Sequence, residues 1–294
     1  MNASFGIDHP LIAVGDIEAL RERMISLGFK MTAIGRHPWG TSNSLAMFDG
    51  CLIEIMGIYD ERLLDEHPVG DFRFGRHVYD HLQEREGIAL TALHSTDANA
   101  DAERAKEAGF TVTGHLDFGR DVTLPDGQTD RTKTTLALIP DARWPRLSFF
   151  LCQQHRPELI YVPEWLEHPN SVFGISGITV LANEGDHAAL IGKFGGLYGS
   201  ADMIEGGFDV NTANGPIRVR TKQAIEEDFA ALPSAIAISS DPCIVALDLR
   251  YRNADRLSIW IKNSGLDHEE IGDRLTLTNP AETGNVFFRF WKLL

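Results

Sequence analysis

Residues 7–32, IDHPLIAVGDIEALRERMISLGFKMT, set the reading of the whole chain. The segment opens as an apolar strand. It passes into a helix with Asp16 at the entry, where a side-chain oxygen can accept from the first free amides. Ile17, Leu20, Met24 and Leu27 recur at helical spacing. Gly28 follows, where a helix usually turns left-handed and stops. Residues 87–114, GIALTALHSTDANADAERAKEAGFTVTG, repeat the plan: Asp97 leads to Gly109-Phe110 over the same twelve residues that separate Asp16 from Gly28-Phe29. Two fainter copies follow at residues 175–199 and 243–266. There Glu184 leads to Gly196-Leu197, and Asn253 to Gly265-Leu266, again over twelve residues. In the first copy, residues 29–34, 42–48 and 51–56 read as further strands. The unit is therefore strand–helix–strand–strand–strand, used four times, and such a repeat is weighed before any local feature.

Between the second and third copies, RPELIYVPEWLEHPN (residues 156–170) carries three prolines and no period, and reads as a linker. Residues 60–86 and 201–215 read as insertions, the first with a short helix around residues 78–84. The chain has 294 residues, 43% of them hydrophobic and 23% charged, which suits a soluble globular protein rather than a disordered one. Its net charge of −15 argues against nucleic-acid or anionic-membrane partners, which demand a basic face. The three cysteines, Cys51, Cys152 and Cys243, lie far apart in apolar segments and read as buried, reduced thiols. The opening MNASFG has no basic start or apolar stretch of a signal peptide, and no run is long enough for a membrane helix. A cytoplasmic location is expected.

The four-fold βαβββ pattern, with Asp8-His9 on its first strand, GRHPWGTSN at residues 35–43, CLIEIMG at residues 51–57 and HPNS at residues 168–171, resembles the vicinal oxygen chelate (VOC) superfamily. That superfamily includes glyoxalase I, bleomycin-binding proteins and extradiol dioxygenases. The first module is more narrowly similar to the glyoxalase-like domain family. The resemblance implies an α+β fold: four βαβββ modules in two pairs forming curved, cup-like mixed sheets. The pairs would span residues 1–160 and 174–294, with a linker over residues 161–173, and the N-terminal pair would carry the site. It also implies a divalent metal (Fe, Mn, Ni or Zn) in the cup, stabilising oxyanion charge on a substrate with vicinal oxygens.

On that resemblance, His9 and Glu54 match the family's ligand positions, and His94 is a candidate third metal ligand. Glu54 sits inside the apolar run LIEIM, where a buried carboxylate must be paired, bound or neutralised. The seven-residue step from His9 to Asp16 puts Leu90, Gly177 and Ala246 at the same place in the other copies, and none can ligate through its side chain. Phe150 falls where Glu54 would recur in module two, and Phe288 or Arg289 in module four. The usual four-ligand set is therefore incomplete, and the second half, where the family's extradiol dioxygenases carry their ligands, offers none. His37 and His168, with Glu54, are candidate catalytic groups, since histidine titrates near working pH. Arg36, Thr41, Asn43 and Asn170 are candidate substrate-binding residues.

The leading expectation is a glyoxalase-like, metal-assisted lyase or isomerase acting on a small carbonyl or hydroxy-carbonyl compound. A metal-free protein that sequesters an aromatic ligand, as bleomycin-resistance relatives do, is a second reading. An atypical dioxygenase is a third. The partner expected is a small-molecule substrate, and edge strands in such sheets leave room for a homodimer.

Overall fold

A computed structural model describes residues 5–237 and 241–292. Module one holds β1 (Ile7–Ala13), α1 (Ile17–Ser26), β2 (Gly35–Arg36), β3 (Thr41–Phe48) and β4 (Cys51–Ile58). Helix α2 (Phe74–Glu84) leads to module two: β5 (Gly87–Ser95), α3 (Ala98–Glu107), β6 (Gly114–Phe118), a small hairpin of β7 (Asp121–Thr123) and β8 (Thr129–Arg131), β9 (Thr134–Ile139) and β10 (Phe149–Gln154). After the short α4 (Pro163–Leu166), module three holds β11 (Val172–Leu181), α5 (Glu184–Tyr198), β12 (Asp202–Ile204), β13 (Gly207–Thr212) and β14 (Gly215–Arg220). Helices α6 (Lys222–Asp228) and α7 (Ser234–Ala237) then precede β15 (Cys243–Tyr251), α8 (Ala254–Ser264), β16 (His268–Ile271), β17 (Arg274–Leu277) and β18 (Phe287–Lys292).

Among the described residues the modules pair into two eight-stranded sheets, ordered β2-β3-β4-β1-β5-β10-β9-β6 and β12-β13-β14-β11-β15-β18-β17-β16. Within each module the first strand runs parallel to the last, and the modules of a pair meet through antiparallel β1–β5 and β11–β15. One face of each sheet packs with α1, α3, α5 and α8 into a single core that includes Met24, Ile55, Leu151, Phe194, Leu257 and Phe288. Each such side chain contributes roughly 1.5–3 kcal/mol on burial. The opposite faces form the cups. Among the described residues no helix is long and apolar enough to cross a membrane.

The repeat holds with local departures. Asp16, Asp97 and Asn253 accept from the amides of Ala19, Ala100 and Arg256, capping their helices as the sequence suggests. The third helix instead starts after Asn183 and runs past Gly196 to Gly199. Gly196 serves close packing rather than termination: a Cβ there would meet the Ala108 carbonyl oxygen at 2.7 Å. Residues 29–34 do not form a regular strand beyond the Met31–Ala46 bridge. Side chains satisfy that segment instead, with Arg21 Nε and Ser44 Oγ donating to the Thr32 carbonyl and Leu45 N donating to Thr32 Oγ1. Residues 201–215 are no insertion. They carry β12 and β13 of module three.

The true insertions are the connections within each module pair, and each packs into a cup, the first only partly. Phe74 and Val78 of α2 join Trp39 against Leu11, Leu90 and Phe150. Ile225, Phe229 and Ile236, from residues 222–237, cover Val245 and Phe287 in the other sheet. The pairing register shows what faces each cup. Leu11 pairs with Glu54, and the matching pairs are Ala92–Phe150, Thr179–Arg218 and Asp248–Arg289. The Glu54 position is thus arginine in both C-terminal modules. Asp248 is 1% exposed and sits between them. It accepts from Arg218 Nη1, from Arg289 Nε at 2.5 Å and from Trp291 Nε1 at 3.1 Å. Arg289 also pairs with Asp228, which Arg274 meets at 2.6 Å. Helices and ion pairs fill this second cup.

The linker is stapled to module one. His168 accepts from Lys30 N at 2.9 Å through Nδ1 and donates to the Met47 carbonyl at 2.8 Å through Nε2. Its ring packs on Phe29 and Phe48. Asn170 Nδ2 donates to the Leu27 carbonyl at 2.8 Å, and Oδ1 accepts from Val172 N at 3.0 Å. Burial pushes His168 down to about 4, with the Met47 carbonyl opposing and Lys30 assisting.

Two predictions arise. His168 is neutral when folded but protonates near 6.5 when unfolded, so stability falls as pH drops from 6.5 toward 4. Wild type should lose about 3 kcal/mol more than His168→Gln between pH 7 and pH 4 in urea melts, whereas parallel curves would contradict the staple. Asp248→Asn strips a counter-charge shared by the buried Arg289, which keeps Asp228, and the half-buried Arg218, and should cost about 3 kcal/mol in the same assay.

Candidate functional site

The N-terminal cup is organised by a bulge in β1. Ile7 pairs with Leu93 and His9 with Ala92, leaving Asp8 as an extra residue. A bulge breaks the strict alternation of faces. Ile7 therefore enters the main core, while His9 faces the cup and Asp8 reaches its ring. Asp8 and His9 are 1% and 7% exposed.

Asp8 Oδ1 lies 2.5 Å from His9 Nδ1, and Oδ2 lies 3.3 Å from His94 Nδ1. His9 Nε2 points at Glu54 Oε2, 3.4 Å away. Glu54 Oε1 accepts from Asn43 Nδ2 at 2.5 Å, and Asn43 Oδ1 accepts from Arg120 Nη1 at 2.7 Å. A continuous polar line thus runs His94–Asp8–His9–Glu54–Asn43–Arg120 through an apolar cup. Burial pushes the Asp8 carboxyl up, but hydrogen bonds and charge from His9 and His94 outweigh it and hold the group below its usual range. Burial pulls His9 down, but Asp8, by hydrogen bond and charge, and Glu54, by charge, bring it above its usual value. The Asp8 contact also raises His94, against desolvation.

The surrounding wall is aromatic: Trp39, Phe74, Phe118 and Phe150 line a cavity of about 60 Å³. His37 stacks on Trp39 with ring centres 4.8 Å apart, and its Nδ1 lies 2.9 Å from Thr41 Oγ1. Burial pushes His37 down to about 3, with Arg120 assisting, so it is a neutral ring at working pH rather than a group titrating there. An outer cleft of about 470 Å³ opens beside this cavity, lined by Met31, Met47, Val122 and Trp165. Leu45, Arg120, Thr132 and Ile160 line both.

Of the residues singled out from sequence, His9, His37, Asn43 and Glu54 line the cup, and Thr41 holds His37. His94 stands behind Asp8 with its side chain 38% exposed. Arg36 lies outside, its guanidinium 4.9 Å from the centre of the Tyr59 ring. His168 and Asn170 are not brought here, because the linker staple uses their polar atoms. Sequence reasoning missed Asp8, Trp39, Arg120 and Cys152 as parts of the site. Asp8 had a signal in its place beside His9. Arg120 had none, since it reaches the cup from the loop between β6 and β7.

The donors present fit a divalent cation. Glu54 is 6% exposed, its oxygens meet Asn43 and His9, and no arginine or lysine lies within ion-pair distance among the described residues, which leaves a place for a cation between it and His9. His9 has its Nδ1 held by a carboxylate and its Nε2 aimed at Glu54, the arrangement that orients ligating histidines. Asp8, His9 and Cys152 each offer a donor atom, all within 4.8 Å of one another. Cys152 occupies the place opposite His94 on β10. Burial, with Asp8 and Glu54, pushes its thiol well up, and a bound cation reverses that preference.

Comparisons with known proteins agree with this architecture. A hypothetical protein from Staphylococcus aureus superposes with a TM-score of 0.68 at 14% identity, covering 98% of this chain and 99% of that one. A mutant 4-hydroxymandelate synthase from Streptomyces coelicolor gives 0.62 at 11%, covering 99% and 93%. A xylose isomerase-like TIM barrel/4-hydroxyphenylpyruvate dioxygenase fusion protein gives 0.59 at 12%, covering 99% of this chain and 49% of the fusion. At these identities the likeness speaks for the fold alone. No curated protein matches the sequence. The model of the glyoxalase-like domain matches residues 7–193, well over half of the sequence. With the paired βαβββ sheets and the cup built on Asp8, His9 and Glu54, this chain belongs to the glyoxalase-like domain family.

Proposed function

We propose that the chain is a metal-assisted enzyme of lyase or isomerase type, acting on a small carbonyl or hydroxy-carbonyl compound in the N-terminal cup. The observation that carries this reading is the facing pair His9 Nε2 and Glu54 Oε2, 3.4 Å apart in a buried cavity, with Asp8 behind the imidazole. His9 and Glu54 would hold the metal, with Cys152 completing the donor set and Asp8 orienting the imidazole from behind. A bound divalent ion supplies Lewis acidity toward substrate oxygens.

The remaining roles fall to the protein. Asp8 fixes the His9 ring so that Nε2 faces inward. Asn43 holds Glu54 Oε1 and leaves Oε2 free. His37, kept neutral by burial and with Nδ1 engaged by Thr41, offers Nε2 as its free polar atom. Trp39, Phe74, Phe118 and Phe150 keep bulk water away, which strengthens every charge interaction inside. Arg218 and Arg289 stand at the Glu54 positions of the second cup, which disfavours the dioxygenase reading that would need ligands there.

Metal analysis of protein purified without chelator tests the proposal. Wild type should carry close to one equivalent of Fe, Mn, Ni or Zn, and His9→Ala and Glu54→Gln should lose it. Asp8→Asn, which only orients the ring, should weaken metal affinity about 10–100-fold. Wild type that stays metal-free after loading yet binds an aromatic ligand tightly would favour a sequestering protein. Fe(II)-dependent oxygen uptake with a catechol would favour a dioxygenase.

A further inference from the structure

Arg120 is the feature least explained by holding a metal. Its guanidinium sits where the inner cavity meets the outer cleft and lines both. Only Nη1 has a partner, Asn43 Oδ1 at 2.7 Å, and no carboxylate lies within ion-pair distance among the described residues. The other donors of the planar fork remain available. Burial pulls the guanidinium down, with the Glu54 charge opposing, yet arginine stays charged in proteins. The seat is built for it. A Cβ on Gly35 would meet Arg120 Nη1 at 2.5 Å and Asn43 Oδ1 at 3.0 Å. Backbone bonds also fix the loop, with Arg120 N donating to Thr132 Oγ1 and Thr132 N donating to the Arg120 carbonyl.

The two spaces differ in what they can hold. The inner cavity, about 60 Å³, admits a head group the size of a few waters. The outer cleft, about 470 Å³, lies within the range of small-molecule sites. Its wall is largely apolar: Met31, Ile34, Met47, Val122, Leu159 and Trp165. Asp121, also on this wall, is tied to Arg131 at 2.7 Å. Lys30 stands at the cleft, and Lys133 borders a third depression that shares Phe118 and Thr132 with the inner cavity. In a chain of net charge −15, Arg120, Lys30 and Lys133 gather at the entrance to the cup, where Asp117 accepts from Thr135 and Asp121 pairs with Arg131.

We propose that the ligand of this site is an amphipathic carboxylate: its anionic head forms a fork with Arg120 at the neck, and its apolar arm fills the outer cleft. This deepens the enzyme reading by naming a substrate class, and the binding it requires does not depend on a metal. A monoanion fits better than a phosphate dianion, because Glu54 and Asp8 lie behind Asn43 on the same polar line and repel added charge. Gly35, which is smaller than any other residue could be there, becomes a specificity determinant through the seat it leaves for the guanidinium.

Calorimetry on metal-stripped protein tests this with decanoate, decanol and decyl phosphate. Wild type should bind decanoate at least about tenfold more tightly than decanol, the size of a charge-assisted hydrogen-bonded pair. Arg120→Met should erase that preference while leaving decanol binding unchanged. Gly35→Ala, whose backbone is not in the left-handed region, should weaken decanoate in the same direction, and it serves if Arg120→Met fails to give a native melting curve. Equal affinity for decanoate and decanol, no binding of either, or unchanged preference in both variants would overturn the assignment. Tighter binding of decyl phosphate than decanoate would overturn the carboxylate head. Should Arg120-dependent decanoate binding persist in protein that never takes up metal, the enzyme reading fails and this one stands.

Discussion

One extra residue in the first strand shapes the N-terminal cup. In a regular strand, Asp8 and His9 would point to opposite faces, and one of them would be driven into the apolar core as an unpaired polar group. The bulge instead lets a carboxylate lie against the inner edge of the imidazole. That contact fixes which nitrogen faces the cavity, and Glu54 on the neighbouring parallel strand meets it there. Asn43 and Arg120 then extend the same polar line to the entrance. Without Asp8 behind it, a buried His9 beside Glu54 would have no fixed ring orientation, and the donor pair would not be preorganised.

The two halves of the molecule share a topology and diverge in what faces inward. At equivalent places on the last strands stand Glu54, Phe150, Arg218 and Arg289. The first invites a cation. The two arginines carry their own charge and are satisfied by Asp248 and Asp228, so the second cup is closed by ion pairs and by residues 222–237. Helix α2 plays the matching part in the first cup but covers only part of it. The space left beside Trp39 and Phe74 is the inner cavity, which meets the outer cleft at Leu45, Arg120, Thr132 and Ile160. A repeated unit thus leaves one half with a polar-lined cavity and fills the other, a divergence of side chains on a shared fold.

Much of this was legible in the sequence, for identifiable reasons. The polar cap, apolar stripe and glycine stop recur because each module must start and end its helix by the same local rules, so the repeat and its pairing could be read directly. His9 and Glu54 stood out because polar groups in apolar strands demand a reason. What stayed hidden is non-local. Residues 29–34 looked like a strand, but Arg21 of α1 and Ser44 of β3 take the Thr32 carbonyl and His168 takes the Lys30 amide. His168 and Asn170 belonged to a family-like motif, yet the structure spends them on tying the linker to Lys30, Met47 and Leu27. Gly196 resembled a helix stop and proved to be a packing contact with Ala108. Arg120 arrives from the loop between β6 and β7 with no local pattern, and only the folded chain brings it beside Gly35 and Asn43.

The central claim is that His9 Nε2 and Glu54 form one cation site inside the N-terminal cup. Anomalous diffraction from crystals loaded with Zn²⁺ or Mn²⁺ tests it most directly. The account predicts a peak in the N-terminal cup within about 2.0–2.2 Å of both His9 Nε2 and a Glu54 oxygen, with the second cup empty. A peak bound elsewhere, or none between these two side chains in fully loaded crystals, would contradict it.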